Sequence, residues 1–278
     1  MGSTVPFRLH LTGDAADHHQ FQGYDGFTSL AGFAWTLALV TNYAETGKLR
    51  QRGEFPGRDA VQANFPRQGS IIADFSVWLG EDPSIVLGLG SIAGASAGTF
   101  LCDLVQRVIA RNLGDNEAVT NPLLQRLLEK RGGEVEALVA KVEPSVRQSH
   151  QVIGNGATKM RILGGHNVLG TYDRDTQEYI KANIPDDTIR AGSFSVGAYD
   201  VNSGHGRVYD SKLGKMVTIT MTKDVRERFG YIFSWALDQY ANKTGGKVRM
   251  EYTRILAVDG TPKRYIVREA ERRPVLGE

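Results

Sequence analysis

The sequence predicts an α+β protein: an N-terminal α/β domain around two long buried helices, then a small basic β-barrel carrying one helix. Three observations predict it. Gly26–Ala44 and Pro83–Cys102 carry no charged residue, as buried helices require. The last ninety or so residues read β-β-β-α-β-β, the element order of an OB-fold. Positive charge is concentrated in that same segment.

Phe7–Thr12 alternates apolar and polar residues and reads as a first strand. A polar loop follows. A helix is expected from Thr28 to Thr46, with Asp25 or Thr28 as N-cap and Gly47 as the stop. Its Leu30, Phe33, Leu37, Val40 and Ala44 share a face, and Trp35 widens the apolar surface. Leu49–Arg52 reads as a short strand, and Ile71–Leu79 as a half-buried one. A second long helix is expected from Ser91 to Asn112.

Asn121-Pro122 opens a short helix, with Asn as N-cap and Pro at the first helical position, and Gly132 stops it. Another helix covers Glu134–Lys141, and a further turn follows Pro144. Met160–Leu163 reads as a strand. Asp175 and Glu178 resemble a capping box that opens a helix through Ala182. Pro185-Asp186-Asp187 marks a break. The expected organisation is therefore an α/β domain at 1–113, a helical connection at 114–187 and the barrel at 188–278.

The barrel segment opens with a long strand, Ile189–Val201, in which Gly192 and Gly197 are expected to bend the chain. Arg207–Tyr209 and Lys215–Met221 follow as strands, and Lys223–Asn242 as a helix with Val225, Phe229, Ile232, Ala236 and Tyr240 on one face. Val248–Val258 and Arg264–Val267 flank Asp259-Gly260, a hairpin signal. An SH3-like barrel is the alternative.

The chain has 278 residues and a net charge of +2. Residues 188–278 hold sixteen Lys and Arg against ten Asp and Glu, whereas 1–113 and 114–187 are each slightly acidic. An anionic partner is one reading of such asymmetry. The single cysteine, Cys102, allows no internal disulfide and suits a reducing cytosol. Met1–Thr12 has no signal-peptide pattern, so a cytoplasmic protein is expected. The charge-free stretches carry too many Ser, Thr and Gly for membrane spans to be favoured.

Four constellations bear on function. Asp14, Asp17 and His18 share the first loop with His19 and Asp25, a mixture suited to a metal or to acid–base work. The same residue types also serve loops as caps and turn formers. Gly90, Gly94 and Gly98 recur at helical spacing and would leave a groove for another backbone or a ring such as Trp35 or Phe33, in the chain or at an oligomer interface. Arg190, Arg207, Lys215, Arg249, Arg254 and Arg264 interleave with Phe194, Tyr199, Tyr209, Tyr252 and Tyr265, as a single-stranded nucleic acid site requires, although core positions would use the same aromatics. Cys102 sits on an apolar helix and is expected to be buried. There is no Walker sequence, nucleophile elbow, His-Glu-x-x-His or zinc-ligand spacing, and no cofactor is implied.

Several segments resemble a family of uncharacterised bacterial proteins of two linked domains of unknown function. They are Asp17-His18, Asp25 leading into Leu30-Ala31-Gly32-Phe33, Gly69-Ser70, and Asp173-x-x-Thr176-x-x-Tyr179-Ile180. Ala198–Asn202 and Gly206–Tyr209 also fit. Val146–Ile153 is similar to that family's Met-His-Arg-Pro-Ile segment: His150 matches, and Val152 replaces the proline. The resemblance implies no activity. It implies an association with mobile elements or antiviral defence loci, and it adds His150 to Asp17 and His18 as a catalytic candidate. The leading expectation is a self-associating, non-enzymatic binding and assembly protein whose barrel contacts nucleic acid, a nucleotide or a partner protein. A metal-dependent hydrolase or nuclease using Asp14, Asp17 and His18 is the second. Membrane association through the glycine-spaced helix is the third.

Overall fold

The computed structural model describes residues 3–49, 55–64, 71–90, 96–115 and 119–274. The chain forms two compact units: Met1–Leu127 with Lys141–Lys181, and Leu128–Ala140 with Ala182–Glu278. The stretch 114–187 is thus divided between the units.

The first unit begins with β1 (Ser3–Thr12), a 3-10 turn (Asp14–His18) and α1 (Gly23–Thr46). Then come α2 (Pro56–Asp59), β2 (Val61–Ala63), β3 (Ile72–Leu79), α3 (Pro83–Val86) and α4 (Ala97–Asn112). The helix α5 (Pro122–Ser149) passes through both units, and β4 (Lys159–Gly164), β5 (Asn167–Tyr172) and α6 (Arg174–Lys181) complete the first. The sheet is antiparallel throughout, in the order β2-β3-β1-β4-β5. Alternation on β1 buries Val5, Phe7, Leu9 and Leu11 on one face, and α1 and α4 pack on the sheet and on each other.

Three expectations for this unit are corrected. The helix α1 starts at Gly23 and not Thr28, because Gln22 caps it without a side-chain hydrogen bond and leaves no polar signal. Gly47 stops it as expected, in the left-handed region at φ 63°. The helix α4 starts at Ala97, capped by Ser96, and not at Ser91. Gly90 lies ahead of it at φ 73°, and Gly94 lies outside the described residues. Of the two described glycines only Gly98 is helical. A Cβ on Gly98 would meet Val5, while Trp35 packs edge-on against Phe55 at 4.9 Å and Phe33 against Phe75. The strand expected at 49–52 falls almost wholly outside the described residues.

The two helices expected around 121–141 are present, joined across a kink within α5. Asn121 caps α5 by accepting from the Leu123 and Leu124 N–H groups, as its position predicts. The break between them falls one residue before the expected Gly132, at Arg131, which leaves the helical region (φ −134°, ψ 29°). The start of α6 is also corrected. The reciprocal cap is Asp173 with Thr176, and Asp175 and Glu178 lie within the helix.

The second unit holds β6 (Ile184–Tyr199), β7 (His205–Asp210), β8 (Lys215–Thr220), α7 (Lys223–Ala241), β9 (Lys247–Leu256) and β10 (Pro262–Arg273). The strands close into a barrel, β6-β7-β8-β10-β9 and back to β6. β8 and β10 are parallel, and the first strand pairs with both the second and the fourth. This is the OB arrangement, with its helix between the third and fourth strands; the SH3-like alternative is set aside. Gly197 sits at the register shift between Val196 and Ala198 and bends β6 as expected. Gly192 does not: it leaves room for the Phe194 ring, which would lie 2.7 Å from a Cβ there. The strand also starts earlier than expected, with Pro185–Asp187 inside it, and a second shift follows at Asp186/Arg190. Val196, Val208, Ile219, Phe233, Val248 and Val267 fill the interior, and the buried Tyr265 hydroxyl donates to Asp210 Oδ2 at 2.6 Å.

Candidate nucleic-acid interface

An OB barrel usually presents the outer face of its second and third strands to a ligand. Here those strands are β7 and β8. Alternation points Val208, Val217 and Ile219 inward and Arg207 and Thr218 outward. That face is covered by the chain itself. The segment Leu128–Ala140 of α5 belongs to this unit, and its Glu136 is fully buried. Arg207 Nε lies 3.2 Å from Glu136 Oε1, and the Thr218 hydroxyl donates to Oε2 at 3.4 Å. Two glycines allow the approach. A Cβ on Gly133 would lie 2.3 Å from the Tyr199 carbonyl carbon, and one on Gly132 would meet Ala198 at 3.3 Å. Helix backbone therefore rests on strand backbone, as only glycine permits. Val135, Leu138 and Val139 of the segment are buried too. The segment thus packs on the β7–β8 face at Arg207 and Thr218.

The six basic candidates fare unevenly. Arg207 is taken by Glu136. Arg254 bonds Asp186 Oδ2 through both Nε (2.9 Å) and a terminal nitrogen (2.6 Å). Arg190 lies 3.6 Å from the same carboxylate, which Arg254 and Thr188 hold down at a pKa of about 2. Arg249 pairs with Glu271 at 2.9 Å. Arg264 is half-buried. Lys215 makes no ion pair among the described residues. The aromatics are mostly core: Phe194, Tyr199, Tyr252 and Tyr265 are buried, and Tyr209 alone of the five is exposed. His205 is half-buried and not exposed; its Nδ1 lies 3.2 Å from the Thr220 hydroxyl, and burial lowers its pKa.

A different part of the barrel surface combines cations with exposed rings. Tyr231 and Trp235 are one turn apart on α7, and Arg272 of β10 lies over both. Arg228 precedes Tyr231 by three residues and is exposed. The helical spacing was legible in the sequence; the pairing with Arg272 was not, because β10 extends well past the expected Val267.

The catalytic candidates are not brought together. Asp17 and His18 are exposed on the 3-10 turn, where Asp17 Oδ1 accepts from the Gly13 N–H at 2.7 Å. Asp14 is exposed, at φ 56°. Among the described residues no group of three or more His, Cys, Asp or Glu side chains is placed to hold a metal ion. His150 is fully buried at the C-terminus of α5. Its Nδ1–H donates to the Val146 carbonyl at 2.7 Å, so Nε2 faces the Thr176 hydroxyl at 3.2 Å as an acceptor. The ring stacks on Tyr172 at 3.8 Å, and burial lowers its pKa to about 4.

Around it, Gln177 donates to the His150 and Ile153 carbonyls, and Ser29 accepts from the Val152 N–H. A Cβ on Gly32 would lie 2.8 Å from the Ser145 carbonyl oxygen. Gly32, His150, Asp173 and Thr176, scattered through the sequence, therefore form one junction of α1, α5 and α6.

A cleft of about 630 Å³ in the first unit is lined by the first turn of α4, by Glu81, Asp82 and Asp103, and by His166. Cys102 also lines it, and burial pushes its thiol up to about 11, so it is not a nucleophile at neutral pH. No helix among the described residues is long and apolar enough to cross a membrane.

A family model described as a domain of unknown function, DUF7946, matches residues 7–181, more than half of the chain. The chain belongs to this family. The DUF7946 match ends at the last residue of the first unit, so the barrel strands lie beyond it. The junction around His150 lies within DUF7946. No curated protein and no solved structure matches the chain.

Proposed function

We propose that the chain is a binding and assembly protein whose basic barrel contacts single-stranded nucleic acid. The observation that carries this is a closed OB barrel holding the molecule's surplus cations. Sixteen Lys and Arg face ten acids over 188–278. Lys212, Lys215, Arg228, Arg268 and Arg272 make no ion pairs among the described residues. Self-association and a place in a mobile element or defence locus belong to the same proposal.

Fluorescence anisotropy of a labelled oligothymidylate, titrated with the full chain at several salt concentrations, tests the binding. The expected result is an affinity that falls with salt, with a log–log slope of roughly −3 if about four phosphates are neutralised. No binding at low salt, or binding indifferent to salt, overturns the proposal.

A further inference from the structure

We infer that the strand docks on α7 and the end of β10, with Tyr231 and Trp235 as the stacking platform and Arg228 and Arg272 as phosphate contacts. This rests on the nucleic-acid function proposed above and fixes where it resides. The usual OB face is occupied by Glu136 and the α5 backbone, and the interleaved aromatics are nearly all in the core. Tyr231 is 61% exposed and Trp235 is half-buried. Spaced four residues apart, they present their rings on one helix face.

The platform is held in place. The Arg272 guanidinium lies 5.4 Å from the Tyr231 ring centre and 5.3 Å from that of Trp235. The Trp235 indole edge rests against Gly246, where a Cβ would come within 3.0 Å of it. A guanidinium on an aromatic face keeps its full charge and its outer donors, and its plane can itself stack on a base. Exposed Arg268, Arg273 and Lys247 lie on the same β9–β10 ribbon. Of the nearby acids, the Asp238 carboxylate accepts from Asn242, and Asp224 sits a turn before Arg228. Base stacking on rings is tolerant of sequence and needs unpaired bases, so a single strand is the ligand and a duplex is not.

The test uses the full chain with labelled oligothymidylate and with a duplex of equal length. Tyr231→Ala and Arg272→Ala are each expected to weaken single-strand binding roughly tenfold. Tyr231→Phe, which keeps the ring, should bind as the parent does. Arg272→Ala should also flatten the salt slope by about 0.7, which Tyr231→Ala should not do. Lys159→Glu, exposed on β4 of the first unit, should bind nearly as well as the parent. Circular dichroism melts confirm that each variant is folded. If the parent binds the strand and Tyr231→Ala and Arg272→Ala bind it as tightly, the location is wrong and the nucleic-acid function stands. Duplex bound as tightly as single strand also overturns the stacking platform. A parent chain that binds neither oligonucleotide overturns the function and the location together.

Discussion

Replacing Arg207 with Ala is expected to destabilise the barrel unit by about 3–5 kcal/mol, and Glu136→Ala by a similar amount. Glu136 is fully buried and the Arg207 side chain is only 12% exposed, so solvent screens the pair little. Removing one member takes a countercharge from the other in a place that solvent does not reach. The attraction itself is not the source of the loss, since desolvation offsets much of it. The double variant Glu136→Leu/Arg207→Met, which fills the space with apolar atoms, should therefore recover most of the lost stability. Urea unfolding followed by hydrogen exchange of the barrel strands measures all three. Two single variants near the parent's stability would mean that the α5 segment does not seal the β7–β8 face.

Stability is expected to fall with pH through His150. Its folded-state pKa is about 4, below the ordinary value of 6.5, because burial disfavours the imidazolium; Lys181 adds to this, and the Val146 carbonyl and Asp173 oppose it. Between these values the unfolded chain binds a proton that the folded chain does not. The contribution is complete above about 6.5, is lost as pH falls to about 4, and amounts to roughly 3 kcal/mol. His150→Phe keeps a ring on Tyr172 and removes this proton linkage, at a cost of about 1–3 kcal/mol at neutral pH from the stranded Val146 carbonyl. His10 and His205, whose pKa values are also lowered, contribute in the same direction in both proteins. The difference between parent and variant isolates His150, and it should shrink steadily from pH 7 to pH 4. Parallel profiles would contradict the assignment.

The barrel was legible because its signals are local. Strand alternation, the Asp259-Gly260 hairpin and the amphipathic Lys223–Asn242 stretch each act within a few residues, and their order is that of an OB barrel. Gly197 bends its strand as its position suggested. What was not legible depends on distant pairings. Nothing near Glu136 announces that it will meet Arg207, seventy-one positions on, so the basic residues of the β7–β8 face read as ligand contacts when one of them is a buried partner. Phe194, Tyr252 and Tyr265 alternate with cations whether the rings face inward or outward, and the closure of the barrel turned them inward.

His150 shows the same limit in the other unit. Its match to the family pattern drew attention to chemistry. In the structure His150 shares a junction with Gly32, Asp173 and Thr176 and lies apart from Asp17 and His18 in the sequence. The glycines at 90, 94 and 98 had helical spacing, but Gly90 is at positive φ and α4 begins seven residues later, so spacing alone misplaced the helix start.

Native-state hydrogen exchange of the full chain tests the central claim most directly: Leu128–Ala140 is a fixed wall of the barrel that closes its usual ligand face. The amides of residues 134–140 are expected to exchange only with the same global opening that exposes β7 and β8, with matching free energies and matching denaturant dependence. Exchange of that segment through a separate, lower-energy opening while β7 and β8 stay protected would contradict it, and would make the face around Arg207 accessible to a ligand after all.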